Sequence, residues 1–437
     1  MIGAQNDSTI QENLIERFMS LPNQTWDAII AEASNNLTVL HDIVRIKQIV
    51  GILKTNIRAC KAIGSGFLIQ LGRIYLDMIN VYKCMSGYIT QALHDKPPTM
   101  VRDPVIRGML SVKKESLRLI SEFVTRSNDA ETIKNQLLGP LLEAVLVDYA
   151  NGIAASREPE VLSTMAIIIT KLESLVEDHV GAIFLQTFEC TLDMINKNFE
   201  DWPEHRVNFY QMIQAVVKHS FNALLKLTSE QFKLVLDAII WAFKHTMRNV
   251  ADIGLEILYH LLESMSRESS AAAVFFKEYY TSVIEHLFSV VTDSTHTGAL
   301  SMHANILAFM FCVVEKGQLT VTLNESAPDN VTYVKEYVGT LLRNAFPHLT
   351  LQQVQVFVTG LFSLDEDNAQ FREHLRDFLV QIREYAGEDE SDLYLEERQQ
   401  ALKQAEGEKA ALRKAVPGIL NPHADFEKAV AIDEDMS

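Results

Sequence analysis

Cysteine is scarce in this chain. Among 437 residues there are four, Cys60, Cys84, Cys190 and Cys312, and no two stand in a CxxC spacing. That excludes a disulfide framework and a cysteine zinc site as organising features. Glycine and proline are low as well, at 18 and 11, and no Gly/Ser-rich or Pro-rich linker divides the chain. A string of separate domains would carry such joints, so one continuous core is expected. No apolar run is long enough to span a bilayer. The first residues, MIGAQNDSTIQENLIERF, have neither a basic n-region nor an apolar h-region, and entry to the secretory pathway is not expected. The N-x-S/T sequons at Asn6, Asn23, Asn36, Asn324 and Asn330 therefore read as chance matches in a reduced, soluble, intracellular protein.

Basic charge is also in deficit, with a net charge of −18. A protein that coats nucleic acid needs a basic stripe against phosphate, so direct nucleic-acid binding is disfavoured. The balance fits either basic protein partners or plain solubility. Catalytic signatures are missing too: there is no phosphate loop, GxSxG elbow, HExxH helix or EF-hand loop. Gly64-Ser65-Gly66 has no strand before it and reads as an interhelical turn. His245, His260, His296, His303 and His348 fall in different segments and make no metal site. Asp365-Glu366-Asp367-Asn368 reads as a helix-capping loop. No enzyme, cofactor or metal centre is expected.

What the chain does have is helical periodicity. Phe232, Val235, Leu236, Ile239, Ile240 and Phe243 fall at i, i+3, i+4, i+7, i+8 and i+11, an apolar stripe on one helix. After a polar break, Ile253, Ile257, Leu258, Leu261 and Leu262 form a second. One such hairpin cannot bury both stripes alone and needs a like neighbour on each side, which is the origin of a solenoid. The same plan places helix pairs at 22–37/40–62, 66–94/103–127, 129–150/158–176, 178–199/203–226, 228–246/248–266, 270–292/297–316, 332–346/350–364 and 368–386/391–413. The fold class is all-α, a HEAT-repeat solenoid over 22–386. Thr228 with Gln231 makes a capping box, and Pro22, Pro104, Pro159 and Pro203 mark helix starts. The best strand signal, QLTVTL at Gln318–Leu323, lies in a polar loop. Aromatic residues such as Trp26, Trp241, Phe209 and Phe276 sit at core spacing.

The two ends differ from the middle. Residues 1–21 carry Ile10, Leu14, Ile15, Phe18 and Met19 on one helical face with no partner helix before it. A terminal repeat should show a polar outer face, so this reads as an orphan helix of a truncated repeat. Residues 387–414 form a long polar helix with acidic residues at its start and Arg413 and Lys414 at its end, which complements the macrodipole. Its apolar stripe is thin, with Leu395 and Leu402 among its few members, so it either caps the solenoid or reaches across solvent. Residues 415–437 read as a flexible acidic tail ending in Asp433, Glu434 and Asp435. Basic residues near the second helices of the pairs, Lys113, Lys114, Arg118, Arg206 and Arg248, are either a solvated face or a wall that meets acidic patches of a partner.

The spelling of these helices carries a family resemblance. FKLVLDAIIWAFKHTMRNVADIGLEIL (232–258) resembles the carboxy-terminal HEAT repeats of the exportin-1 family of nuclear export karyopherins. LIQLGRIYLDMINVYKCMS (68–86), FECTLDMINKNFEDWPEHRVNF (188–209), FSVVTDSTHTGALSMHANILAFMF (288–311), FREHLRDFLVQIREYAGEDESDLYLEER (371–398) and VPGILNPH (416–423) resemble it in the same order, across essentially the whole chain. The resemblance implies a superhelical ring with first (A) helices outside and second (B) helices inside. It implies binding of Ran in its GTP form together with leucine-rich export-signal cargo, passage along nucleoporins, and shuttling between nucleus and cytoplasm. By the same resemblance Lys113, Lys114, Arg118, Arg206 and Arg248 belong to a Ran-facing inner wall. Leu395, Glu396, Glu397 and Leu402, with Asp433, Glu434 and Asp435, belong to an autoinhibitory helix and tail. The family's amino-terminal Ran-gripping repeats, central acidic loop and cargo groove have no counterpart here, so the expected role is part of that wall and the autoinhibitory end. The alternative is a generic HEAT scaffold that organises a phosphatase or kinase complex.

Overall fold

The computed structural model describes residues 3, 5, 7–94, 97–198, 200–294, 296 and 298–414. Among these the regular elements are all helical, and they form an all-α, HEAT-like solenoid. Two compact units divide between Phe275 and Phe276. The first holds α1 (Ser8–Asn35), α2 (Ile43–Ile63), α3 (Leu68–Leu93), α4 (Pro104–Arg126), α5 (Gly139–Asn151) and α6 (Glu160–Leu172). It continues through α7 (Glu177–Ile195), α8 (Pro203–His219), α9 (Ser229–Phe243) and α10 (Arg248–Ser266). Helix α11 (Ser269–Val291) contains the division. The second unit holds α12 (Leu300–Glu315), α13 (Asn330–Ala345), α14 (Leu351–Ser363), α15 (Asn368–Ala386) and α16 (Leu395–Lys414).

In the first unit the helices sort into two layers. Helices α2, α4, α6, α8 and α10 pack side by side in one, and α1, α3, α5 and α7 in the other. These are the B and A helices of the expected pairs. The cause is the stripe pattern: in the α9/α10 hairpin, Val235, Leu236, Ile239, Ile240 and Phe243 are buried, as are Ile257, Leu258, Leu261 and Leu262. The hairpin closes on Gly254, where a Cβ would lie 2.6 Å from the Phe243 nitrogen and 2.8 Å from the Ala242 Cβ. Thr228 accepts from the Gln231 amide at 3.2 Å and Gln231 Oε1 accepts from the Thr228 amide at 3.1 Å, completing the capping box.

Two expectations change. Helix α1 runs unbroken from Ser8 to Asn35 with Pro22 inside it, so the segment 1–21 is not a separate helix. Proline removes one i→i−4 bond and bends a helix, but packing on both sides of it outweighs that loss: Ile15 and Met19 before it and Trp26 and Ile29 after it are all buried. Phe18 and Ile10 remain exposed. QLTVTL lies in a loop, as its polar setting implies, and Asn330 ties that loop, donating from Nδ2 to the Val321 carbonyl and accepting at Oδ1 from the Leu323 amide, each at 2.8 Å. The terminal helix begins at Leu395, after a 3₁₀ turn over Ser391–Tyr394.

The described sequons have structural uses. Asn23 is buried and exchanges two amide hydrogen bonds with Gln70, at 3.0 and 2.7 Å, while Gln70 also donates to Asn56 at 3.1 Å. Asn36 and Asn324 accept from the backbone amides two residues on, Thr38 and Ser326, a turn for which Asn is favoured. Asp367 caps α15 through the Ala369 and Gln370 amides, as the capping-loop reading requires. Gly254→Ala forces α9 and α10 apart, and urea unfolding should record a loss of about 1–3 kcal/mol.

Candidate partner-binding surfaces

The five basic residues do not share one environment. Lys113 is buried on α4, with Nζ 2.7 Å from Asp148 Oδ2 and 5.2 Å from the Tyr82 ring centroid. Tyr82 donates its hydroxyl to the same carboxylate at 3.1 Å. Arg206 is fully buried. Its Nη2 donates to the carbonyls of Ile195 at 2.8 Å and Asn198 at 2.9 Å, and its guanidinium lies over Trp241 at 5.7 Å. Both side chains are committed to helix packing and are not available to a partner, which corrects their place in the wall.

Lys114, Arg118 and Arg248 are accessible. Lys114 and Arg118 reach the same oxygen of Glu160, at 2.8 and 3.3 Å, on the side wall of a groove of about 670 Å³ between α4, α6 and α8. Arg248 stands in the first turn of α10, 3.7 Å from Asp252, next to Met247 and Asn249, which line the same groove. A second hollow of about 540 Å³ continues along α6 and α8 and adds Lys171, Lys218 and His219. These were missed by the sequence reading. The signal for them was their place in the last turns of α6 and α8, where cations offset the helix dipole. The groove thus alternates basic side chains with amides, hydroxyls and carboxylates, and it suits a charged protein surface better than an apolar ligand.

Glu158 borders this region on the α6 side. Burial pushes its carboxyl up to about 7, with Glu160 and Asp148 adding to the rise and Lys113 and Lys114 opposing it. His303, buried in the second unit, is pushed down to about 4, first by burial, and is neutral at physiological pH.

The terminal segment is anchored by arginines of α15. Buried Arg383 pairs with Asp392 and donates from Nη1 to the Asp389 carbonyl at 3.0 Å, and Leu393 is buried beside them. Further out, Arg376 pairs with Glu397, with Arg372 3.9 Å from the same carboxylate. Glu396 accepts from the Ser301 amide at 3.2 Å and from its hydroxyl. Leu395 is half-buried, and from Glu397 to Gly407 every residue is exposed, Leu402 included. Asp433, Glu434 and Asp435 lie outside the described residues. Breaking a buried pair such as Arg383–Asp392 costs about 3–5 kcal/mol. Exposed pairs contribute about 0–1 kcal/mol each, so the inner anchor is the stronger.

Paired helices in two layers, with a charged groove along one of them, define a helical-repeat scaffold of the HEAT type. Residues 70–387 match the family model described as CRM1 C terminal. Over 424 residues the chain is 53% identical to Exportin-1 of Drosophila melanogaster, covering 97% of this chain and 40% of that protein. It is 39% identical over 430 residues to Exportin-1 of Schizosaccharomyces pombe, covering 97% and 40%. It is also 39% identical over 429 residues to Protein EXPORTIN 1A of Arabidopsis thaliana, covering 97% and 39%. The chain belongs to the exportin-1 family, and it spans about 40% of the length of these curated relatives.

Two measurements check the burial argument. Lys113→Met should cost about 3 kcal/mol in urea unfolding, and Lys113→Met with Asp148→Leu should recover most of it. Glu158 holds its proton in the folded state up to about pH 7, against 4.5 for the ordinary group. Between those values the folded state binds more protons than the unfolded one, so stability falls as pH rises. Glu158→Gln should therefore melt with the wild type near pH 4 and about 2–4 °C higher above pH 7.

Proposed function

We propose that this chain is the carboxy-terminal part of a nuclear export receptor, a carrier rather than an enzyme. It works with Ran in its GTP form and with leucine-rich export-signal cargo, and it shuttles between nucleus and cytoplasm past the nucleoporins. The observation that carries this reading is 53% identity across 97% of the chain to a protein named Exportin-1. On this reading the B-helix groove of the first unit is part of the Ran-facing wall, with Lys114, Arg118 and Arg248 as its contacts. Lys113 and Arg206 support that wall from within. The helix from Leu395, with Glu396, Glu397 and Leu402, is the autoinhibitory arm, continued by the acidic tail at Asp433, Glu434 and Asp435. Cargo is held by other repeats of the receptor.

Accessible charges that steer a partner act on its association rate and salt dependence. The full chain immobilised on beads should retain Ran loaded with GTP and not Ran loaded with GDP. Lys114→Glu with Arg118→Glu should weaken that retention about tenfold and flatten its salt dependence. Equal retention of both nucleotide forms, or a variant that binds like the wild type, would remove the groove from the proposal.

A further inference from the structure

Arg157, Glu158 and Pro159 lead the chain into α6, whose first residue is Glu160. A residue before proline is held away from helical backbone, so Glu158 and Glu160 sit in different local structures although they are two apart. Neighbouring elements tie the segment down. Arg157 donates to the carbonyls of Tyr149, Ala150 and Cys190. From α8, His205 Nε2 lies 2.9 Å from the Arg157 carbonyl, and Asn208 Nδ2 donates to the Pro159 carbonyl at 3.0 Å. Glu160 lines the B-helix groove, with Lys114 and Arg118 on one of its oxygens. The half-buried Glu158 carboxyl accepts no hydrogen bond and makes no close ion pair among the described residues. Its anchored backbone leaves it little freedom to find a partner.

Charged groups face Glu158 from several elements. Burial is the largest push towards its neutral form, and Glu160 of α6 and Asp148 of α5 add to it, while Lys113 and Lys114 of α4 oppose it. The Tyr82 ring of α3 belongs to the same cluster. Arg157 is committed to its three carbonyls, and burial holds the His205 imidazole of α8 below its ordinary value. Lys113 and Lys114 are consecutive on a helix and diverge: Lys113 pairs with Asp148 inside, Lys114 with Glu160 in the groove. Glu158 feels both cations, so its charge couples the dry pair to the wet one. We propose that Glu158 links proton binding to partner binding in this groove: it takes up a proton when Lys114 and Arg118 hold an acidic side chain of the partner. The incoming carboxylate draws the Lys114 ammonium away from Glu160 and brings a further negative charge. Both changes disfavour a second anion at Glu158. By linkage, partner binding is then tighter on the acid side of neutrality and weakens as pH rises. The inference deepens the groove's part in the receptor reading and rests on that reading for the partner. The coupling of Glu158 to Lys114 is measurable without one.

Retention of Ran loaded with GTP on the immobilised full chain, compared at about pH 6 and about pH 8, reads the linkage. Wild type should bind about fivefold more weakly at the higher value, as expected when the partner moves the Glu158 titration by about one pH unit. Glu158→Gln keeps the neutral form at every pH and should hold the acid-side affinity throughout. A flat wild-type profile overturns the proposal, and so does a Glu158→Gln profile that falls in parallel. Thermal unfolding tests the same coupling without a partner. The folded carboxyl titrates above the unfolded one, so wild-type stability falls as pH rises from 4.5 to about 7. Lys114→Gln imitates a cation drawn away and should carry that fall to higher pH, and adding Glu158→Gln should remove the extension. An unmoved profile in Lys114→Gln also overturns the proposal. Absence of Ran retention at both pH values would strike the receptor reading, and the unfolding profiles would then decide the coupling alone.

Discussion

Buried and half-buried cations gather carbonyls at and just beyond helix ends in this fold, and the layered packing draws on them. Every helix leaves its last carbonyls without intrahelical donors. In a solenoid the next repeat covers many of those ends, so water cannot serve them. Arg157 donates to the carbonyls of Tyr149 and Ala150 at the end of α5, and to Cys190 in α7 at 3.0 Å. Arg206 does the same for Ile195 and Asn198, and Arg383 for Asp389. A guanidinium has five donors in a fixed fork and stays charged when buried, which suits it to collecting carbonyls from different elements. Lys113 does related work as a point charge on Asp148.

That internal use of basic side chains shapes the surface left over. Some of the cations that would offset the acidic excess are spent inside, while Lys114, Arg118 and Arg248 stay accessible along one layer of the first unit. Lys114 and Arg118 share Glu160, so the groove offers paired charges already partly neutralised. Such an arrangement favours recognition by pattern over simple attraction, because each incoming group must match a neighbour of both signs. At the other end of the chain the arginines of α15 meet carboxylates of the following segment, and the same chemistry becomes a joint.

The helix pairs were legible because the 3.6-residue stripe is a direct record of which residues leave water. The capping box at Thr228 and the cap at Asp367 were local chemistry, complete within a few residues. Lys113 and Arg206 were misread for a physical reason. A basic residue on a B helix has the same spelling whether it faces a groove or the carbonyl end of a neighbour. Only the position of the α7 terminus, near Ile195 and eleven residues before Arg206, separates the two cases. Pro22 was misread because a proline signals a helix start unless packing on both sides outweighs the lost hydrogen bond. Ser301 and Glu396, hydrogen-bonded at the base of the terminal helix, lie 95 residues apart, a separation at which local pattern carries no information.

The amide network of Asn23, Asn56 and Gln70 bears on the order in which the chain assembles. Gln70 meets Asn56 across 14 residues and Asn23 across 47. Closing the shorter loop costs less entropy, which favours the Asn56–Gln70 contact over the Asn23–Gln70 contact until α1 is docked. A slip of α1 by one helical turn would leave dry amides on both sides, at about 1–3 kcal/mol for each unsatisfied group. The network therefore fixes the register of α1 against α2 and α3.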